Sequence, residues 1–185
     1  VEALGERNLA VFSRKEPAAI VTACATCNSG FGKHFAEMGP DQAAVAAKVT
    51  DILVFLVKEG LAEKLAELPQ KDPERTVTYH DPCHLRTQGI TREPRELLKA
   101  LPGVRFVEME GADRCCGLGG TFSVYHYETS KKIGARKAPG IEKSGANLVA
   151  SACPGCMMQL QDTINHAGLP QKVVHVLELI AEALP

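Results

Sequence analysis

Five cysteines in the second half of the chain occur in groups that could bind a soft metal. They comprise one isolated cysteine, a vicinal pair and a Cys-Pro-Gly-Cys pair, namely Cys83, Cys115, Cys116, Cys153 and Cys156. Two more, Cys24 and Cys27, form a second Cys-x-x-Cys pair near the start of the sequence. Thiolates are preferred ligands of zinc and of iron–sulfur clusters, so the pattern indicates metal or redox chemistry.

Three kinds of chemistry fit the five thiols to different degrees. An iron–sulfur centre with several irons can use all of them. A structural zinc ion takes four ligands, which leaves one thiol over and makes the vicinal pair awkward. A thioredoxin-like dithiol would use Cys153 and Cys156 alone and leave the other three unexplained. The sequence therefore favours a cluster over buried but inert thiols, and leaves the dithiol and zinc interpretations open.

Each cysteine group follows a segment that the sequence predicts to be a strand. The predicted strands are Ala19–Thr22, Thr76–His80, Val104–Glu108, Asn147–Ser151 and Lys172–His175. The predicted helices between and around them are Glu2–Phe12, Gly32–Glu37, Gln42–Leu68, Pro94–Leu101, Tyr127–Lys143, Met157–Ala167 and Val176–Ala183. This alternation predicts an α/β fold of tandem βαβ-type repeats with parallel sheets. The cysteine loops should then meet at the carboxyl edge of the strands.

An internal repeat divides the chain. Ala18–Cys27 and Ala146–Cys156 are both apolar strands that end in Ala-Cys-x-x-Cys. We expect residues 1–70 to be the C-terminal part of a truncated first repeat and residues 71–185 to be a complete second one. The segment Pro69–Pro73 is the predicted linker. Cys24 and Cys27 then belong to a second site that is incomplete in this chain.

Composition excludes several classes of protein. The chain has 185 residues, of which 45% are hydrophobic and 23% are charged, as in a globular protein. Its net charge of −1 argues against a nucleic-acid or anionic-membrane partner, since both need a basic surface. The longest apolar run, Ile52–Val57, is far shorter than the roughly 20 residues of a membrane span. Free cysteines without a secretory signal indicate a reducing, cytoplasmic compartment.

Residues around the cysteines are candidates for supporting roles. Three glycines, Gly117, Gly119 and Gly120, could let backbone N–H groups approach cluster sulfides; a phosphate-binding loop is the weaker interpretation. Flanking Cys83 are two histidines, His80 and His84, which could deliver protons or donate hydrogen bonds to a cluster, or be ordinary loop residues. A basic helical run is interpreted as a solvated face, with docking of a partner subunit as the alternative; it consists of Lys131, Lys132, Arg136 and Lys137.

Three motifs together resemble a known family. They are His80-Asp-Pro-Cys83-His, Arg114-Cys-Cys-Gly-Leu-Gly-Gly-Thr-Phe-Ser123 and Cys153-Pro-Gly-Cys156. Their order, gaps and flanking residues resemble the cysteine-rich CCG domain. That domain occurs in the catalytic subunit of heterodisulfide reductase and in iron–sulfur subunits of glycolate and lactate oxidising systems. The second motif is closer to the glycolate and lactate branch.

The resemblance implies a cofactor and a function. The five cysteines from Cys83 to Cys156 would hold a 4Fe–4S-type cluster, non-cubane in the heterodisulfide reductase relatives, and zinc could replace it in aerobically purified protein. The chain would be the electron-transfer subunit of a 2-hydroxy-acid oxidoreductase. Its partners would be a flavin-containing subunit and further iron–sulfur domains, and any membrane association would run through partner subunits. The alternatives are a heterodisulfide-reductase-like thiol–disulfide reductase and a zinc-stabilised interaction module.

Overall fold

Six short strands carry the cysteine loops. The computed structural model describes residues 2–69 and 75–184. Its strands are β1 (Ile20–Thr22), β2 (Val49–Asp51), β3 (Arg75–Tyr79), β4 (Val104–Phe106), β5 (Leu148–Ser151) and β6 (Lys172–His175). Five of the six lie within or next to the segments that the sequence predicts as strands, and β2 is additional.

Helices connect and cover these strands. The α-helices of the first part are α1 (Glu2–Lys15), α2 (Ala25–Ser29), α3 (Pro40–Ala46), α4 (Ile52–Lys58) and α5 (Leu61–Ala66). Those of the second part are α6 (Cys83–Arg86), α7 (Arg92–Ala100), α8 (Phe122–Tyr125), α9 (Tyr127–Ala135), α10 (Ala138–Lys143), α11 (Pro154–His166) and α12 (Val176–Ala183). None of these helices has the length and apolar character of a membrane span.

The strands form two sheets, and all pairings are parallel. Strands β4, β3, β5 and β6 lie side by side in that order, while β1 pairs with β2. The central strands are apolar on both faces, because Val77, Tyr79, Val149 and Ala150 are fully buried between helices. This architecture confirms the predicted α/β class with parallel sheets, and it sends the loops after β3, β4 and β5 to one edge.

The apolar core continues from the second sheet to the helices of the first part. Leu53 of α4 and Leu65 of α5 belong to the same buried cluster as Val77 of β3 and Leu160 of α11. A small separate cluster forms around Phe35 near helix α1. The two halves of the chain therefore share one core, which holds α2 close to the cysteine loops of the second half.

The prediction of one helix over Gln42–Leu68 is wrong. Strand β2 interrupts it, because the β-branched residues Val49 and Thr50 pair with β1. Asp51 then starts α4 by accepting a hydrogen bond from the Leu53 amide at 2.9 Å. Gly60, with φ of 73°, separates α4 from α5.

Two other predicted helices are divided, and the predicted linker is not tested. Around Gly32–Glu37, α2 continues into a π-helical turn (Gly30–His34) and a 3-10 turn (Ala36–Met38). The predicted helix Tyr127–Lys143 is split into α9 and α10, because Pro139 lies in the first turn of α10. Most of the predicted linker Pro69–Pro73, from residue 70 onward, lies outside the described residues.

Candidate metal centre

The three loops after β3, β4 and β5 bring five cysteines together. Cys83 is the first residue of α6, and Cys153 is the N-cap of α11, which has Cys156 in its first turn. The vicinal pair lies in the long loop between β4 and α8. All five residues line one cavity of about 510 Å³, as the parallel topology predicts: Cys83, Cys115, Cys116, Cys153 and Cys156.

The cavity has a buried inner end and an open mouth. Cys116, Cys153 and Cys156 are buried, whereas Cys83 and Cys115 are exposed. All seven cysteines of the chain are free thiols. The other residues that line the cavity are Thr26, Pro82, His84, Leu118, Gly119 and Gly120. Such a cavity encloses a group on one side and leaves the other side accessible to solvent or a partner.

The buried thiols share protons unevenly. A hydrogen bond from the Cys156 thiol lowers the pKa of Cys153 to about 5. A similar bond from Cys156 lowers the pKa of Cys116, against the opposing effect of burial. In return, the bonds to Cys116 and Cys153 raise the pKa of Cys156. Two of the three thiols are thus already poised as thiolates, the form that binds metal.

His80 lies at the inner end of this cluster of thiols. Its ring is 1% exposed, and neither ring nitrogen has a hydrogen-bond partner among the described residues. Its nitrogens and the sulfurs of Cys116 and Cys156 offer ligand atoms within 4.8 Å of one another. Burial lowers the pKa of His80, so the imidazole is neutral. A buried polar ring without a partner, beside thiols poised as thiolates, fits a site built for a metal group.

The glycine loop after the vicinal cysteines brings backbone close to sulfur. The Gly117 amide donates to Cys115 Sγ at 3.3 Å. Gly117 adopts φ of 101°, and a Cβ there would lie 2.5 Å from the Ser130 carbonyl oxygen. Both Gly119 and Gly120 line the cavity. The geometry agrees with close approach of the backbone to sulfur at Gly117, and the glycines' role toward a bound cluster stays a prediction.

The basic run on α9 is not a uniform solvated face. Lys132 and Arg136 are exposed, but Lys137 is 2% exposed and points into the protein. Its Nζ donates to the carbonyl oxygens of Gly111, Ala112 and Arg114 at 2.8, 3.0 and 3.2 Å. Burial lowers its pKa to about 8. Interpreting Lys137 as solvated is therefore wrong, because the turn between α9 and α10 directs it under the cysteine loop.

A buried ion-pair network supports the loop of Cys83. The Arg95 guanidinium of α7 contacts both oxygens of Asp81 at 2.8 Å and both oxygens of Glu108 at 2.7 Å. It also lies over the Tyr79 ring, 5.2 Å from the centroid. Asp81 is only two residues before Cys83, so Arg95 fixes the direction in which β3 leaves the sheet.

Helix α2 of the first half forms one wall of the cavity. Thr26 Oγ1 lies 3.1 Å from His84 Nδ1 and 3.7 Å from Cys153 Sγ. Asn28 donates to Gln88 at 2.8 Å and joins α2 to the turn after α6. Sequence reasoning missed Thr26; its position between Cys24 and Cys27 marks the loop but does not show what it contacts.

Cys24 and Cys27 are not among the residues that line the cavity. Cys24 is the N-cap of α2 with φ −141° and ψ 121°, close to the φ −143° and ψ 112° of Cys153. The two Cys-x-x-Cys pairs therefore leave their strands with the same backbone geometry, as the repeat predicts. Burial, Cys24 and Cys153 all raise the pKa of Cys27.

Comparison with known proteins places this geometry in a family context. The family model described as CCG, cysteine-rich domain, matches residues 1–32 and 77–161. The two matched segments contain all seven cysteines.

Several curated proteins are similar over nearly the whole chain. A subunit of the fumarate reductase (CoM/CoB) of Methanothermobacter marburgensis is 37% identical over 97% of this chain and 35% of its own length. The probable glycolate oxidase iron-sulfur subunit of Bacillus subtilis is 34% identical over 97% of this chain and 42% of its own length. One subunit of the dihydromethanophenazine:CoB–CoM heterodisulfide reductase of Methanosarcina barkeri is 31% identical over 98% and 44%. The chain thus spans less than half the length of these relatives.

Proposed function

The chain belongs to the CCG family of cysteine-rich domains, and on that premise we propose that it is the iron–sulfur electron-transfer part of a 2-hydroxy-acid oxidoreductase. The observation that carries the proposal is the convergence of five thiols from three loops on one cavity. The relatives named as iron–sulfur proteins support the choice of cofactor, among them the probable glycolate oxidase subunit.

The five thiols would hold a 4Fe–4S-type cluster. When bound, such a cluster supplies a redox centre that takes up and releases single electrons. Cys83, Cys115, Cys116, Cys153 and Cys156 would ligate it. The amide of Gly117 already donates to Cys115 Sγ, and Gly119 and Gly120 keep the mouth free of side chains. His80, neutral and without a partner, is placed to donate a hydrogen bond to a sulfur at the buried end.

The cavity suits electron transfer better than oxidation of the acid itself. Among the described residues that line it, none is a lysine, arginine, aspartate or glutamate. A 2-hydroxy acid carries a carboxylate and normally needs a cation to hold it. The acid would therefore be oxidised at a flavin-containing partner subunit, from which this chain would accept electrons at the open mouth and pass them to further iron–sulfur domains.

The repeat organisation supports a second site in the first half. We take residues 1–70 as the closing part of one CCG repeat and residues 71–185 as a complete one. The matching backbone at Cys24 and Cys153 supports this division. So do the side-chain caps of Asp51 on α4 and His175 on α12, which occupy equivalent places after β2 and β6. Cys24 and Cys27 would contribute two of the ligands of that second site.

A disulfide reductase is the second candidate. The similarity to the Methanosarcina barkeri heterodisulfide reductase and the open cavity mouth beside Thr26 and His84 favour it. Reduction of a disulfide needs two electrons and two protons and releases two thiols, so it differs in stoichiometry from electron transfer to a flavin.

Reoxidation of the reduced protein distinguishes the two candidates. Anaerobically reconstituted chain is reduced with dithionite, desalted, and mixed with either oxidised flavin mononucleotide or 2-hydroxyethyl disulfide. We expect rapid reoxidation by the flavin and no thiol release from the disulfide. Catalytic release of two thiols per disulfide would instead support the reductase. The Cys153→Ser variant, which lacks a proposed ligand, serves as the control for electrons carried by free thiols.

A further inference from the structure

One face of α9 and the residues after it holds the loop of the vicinal cysteines. Ser130, Gly134 and Lys137 are spaced by four and three residues and so lie on the same side. Ser130 Oγ donates to the Gly117 carbonyl at 2.8 Å. Gly134 lets the backbone approach, because a Cβ there would lie 3.0 Å from the Cys116 carbonyl oxygen. Lys137 completes the face below the start of the loop.

The Lys137 ammonium uses its hydrogen-bonding capacity on this loop. Its three contacts are the carbonyls of Gly111, Ala112 and Arg114, all within five residues of Cys115 and Cys116. Of these, the Ala112 carbonyl also accepts a hydrogen bond from the Asp81 amide at 3.0 Å. One carbonyl thus joins the lysine to the loop that carries Cys83 as well as to the loop of the vicinal pair.

The charge of this lysine has no ion-pair partner in the described part of the chain. No described carboxylate lies within 4.0 Å of Nζ. Carbonyl dipoles solvate the ammonium but do not neutralise it, and an unpaired buried charge destabilises a fold by several kcal/mol. The charges that favour its protonated form are those of Cys116, Asp113, Asp81 and Cys156, in order of effect. Two of these four are cavity thiols.

A cluster held by thiolates would provide the missing negative charge. Cysteine-ligated iron–sulfur centres carry a net negative charge that grows by one on reduction, and nearby charge shifts their potential. A fixed cation in a low-dielectric interior acts over several ångströms with little screening. The position of Lys137 beneath the vicinal cysteines therefore favours the more negative, reduced state.

We propose that Lys137 is a positioning residue of the metal centre, which anchors the Cys115–Cys116 loop and offsets the negative charge of the reduced cluster. The electrostatic part of this inference rests on the proposed cluster. The anchoring part does not, because the three carbonyl contacts exist without metal.

Two measurements on Lys137→Met test the two parts. The first is amide hydrogen exchange of a peptide spanning residues 110–118 in metal-free, reduced protein. Loss of hydrogen bonds from a charged donor should speed exchange about tenfold. The second is the cluster's reduction potential, from a dithionite titration followed by electron paramagnetic resonance. Removal of the charge should lower the equilibrium constant for reduction about tenfold, which is about 59 mV for one electron.

The matched control is Lys132→Met, which removes the same charge from an exposed position on the same helix. It should change neither measurement. An unchanged potential in Lys137→Met with normal iron content would overturn the electrostatic part, and unchanged exchange would overturn the anchoring. If wild-type protein takes up no iron, the proposed function fails, while the exchange measurement still decides the anchoring. If Lys137→Met does not fold, Lys137→Gln replaces it; failure of both to fold would show a general role in folding and overturn the assignment.

Discussion

Replacing Gly117 with alanine tests whether the cysteine loop depends on close backbone approach. Two costs arise at this position. Alanine at φ of 101° is strained by about 1–2 kcal/mol, part of which is offset because alanine restricts the unfolded chain. The new Cβ would also lie 2.5 Å from the Ser130 carbonyl and 3.1 Å from the Gly134 nitrogen, both backbone atoms of α9. Such overpacking costs about 1–3 kcal/mol more.

The matched control is Gly145→Ala. Gly145 also has a positive φ, of 64°, but a Cβ there meets nothing within 4 Å. This control carries only the backbone strain, so the difference between the two variants isolates the packing of the loop against α9. Urea unfolding of the metal-free, reduced proteins measures both free energies of unfolding.

We expect Gly117→Ala to be less stable than Gly145→Ala by about 1–3 kcal/mol. We also expect it to bind less iron, because α9 and the loop must separate and the amide that donates to Cys115 Sγ moves with them. Equal destabilisation by the two variants would refute the tight packing at Gly117, and normal iron content would refute its role at the site.

Three further predictions address the cap, the ion-pair network and the ligands. Burial raises the pKa of Asp51 to about 6, so the folded state binds more protons than the unfolded state between its ordinary value and that one; wild type should lose up to about 3 kcal/mol as pH rises through this range, whereas Asp51→Asn, which keeps the cap, should show a flat profile in urea unfolding at about pH 4 and pH 7. Arg95→Met leaves the buried Asp81 carboxylate without its partner and should cost about 3 kcal/mol in the same assay; a cost below about 1 kcal/mol would contradict the network's role. Cys153→Ser should severely lower iron per chain after anaerobic reconstitution while Cys24→Ser leaves it unchanged; equal losses would place Cys24 in the same centre.

The convergence of the thiols could be predicted from the sequence. Parallel strands that end in cysteines must bring their loops to one edge, and the vicinal pair and Cys153 do meet Cys83 there. The matching backbone of Cys24 and Cys153 also follows from the repeated strand and Ala-Cys-x-x-Cys pattern. In these places the local pattern and the tertiary structure require the same geometry.

What the sequence could not predict depends on packing between distant segments. Lys137 follows three other basic residues and has the composition of a solvated face, and only the turn before α10 directs it inward. The four-and-three spacing from Ser130 through Gly134 was the available signal. Thr26 reaches Cys153 because α2 packs on α6, which no periodicity encodes. Strand β2 was hidden between two apolar segments that favour helix.

Metal analysis of the wild-type chain tests the central claim most directly. The protein is unfolded, reduced, and reconstituted anaerobically with ferrous iron, sulfide and an equal concentration of zinc, and then desalted. Iron, acid-labile sulfide and zinc are counted per chain. The five-thiol site predicts about four irons with a matching amount of sulfide and a broad absorbance near about 400 nm. One zinc per chain with neither iron nor sulfide would contradict the cluster and favour the zinc-stabilised module.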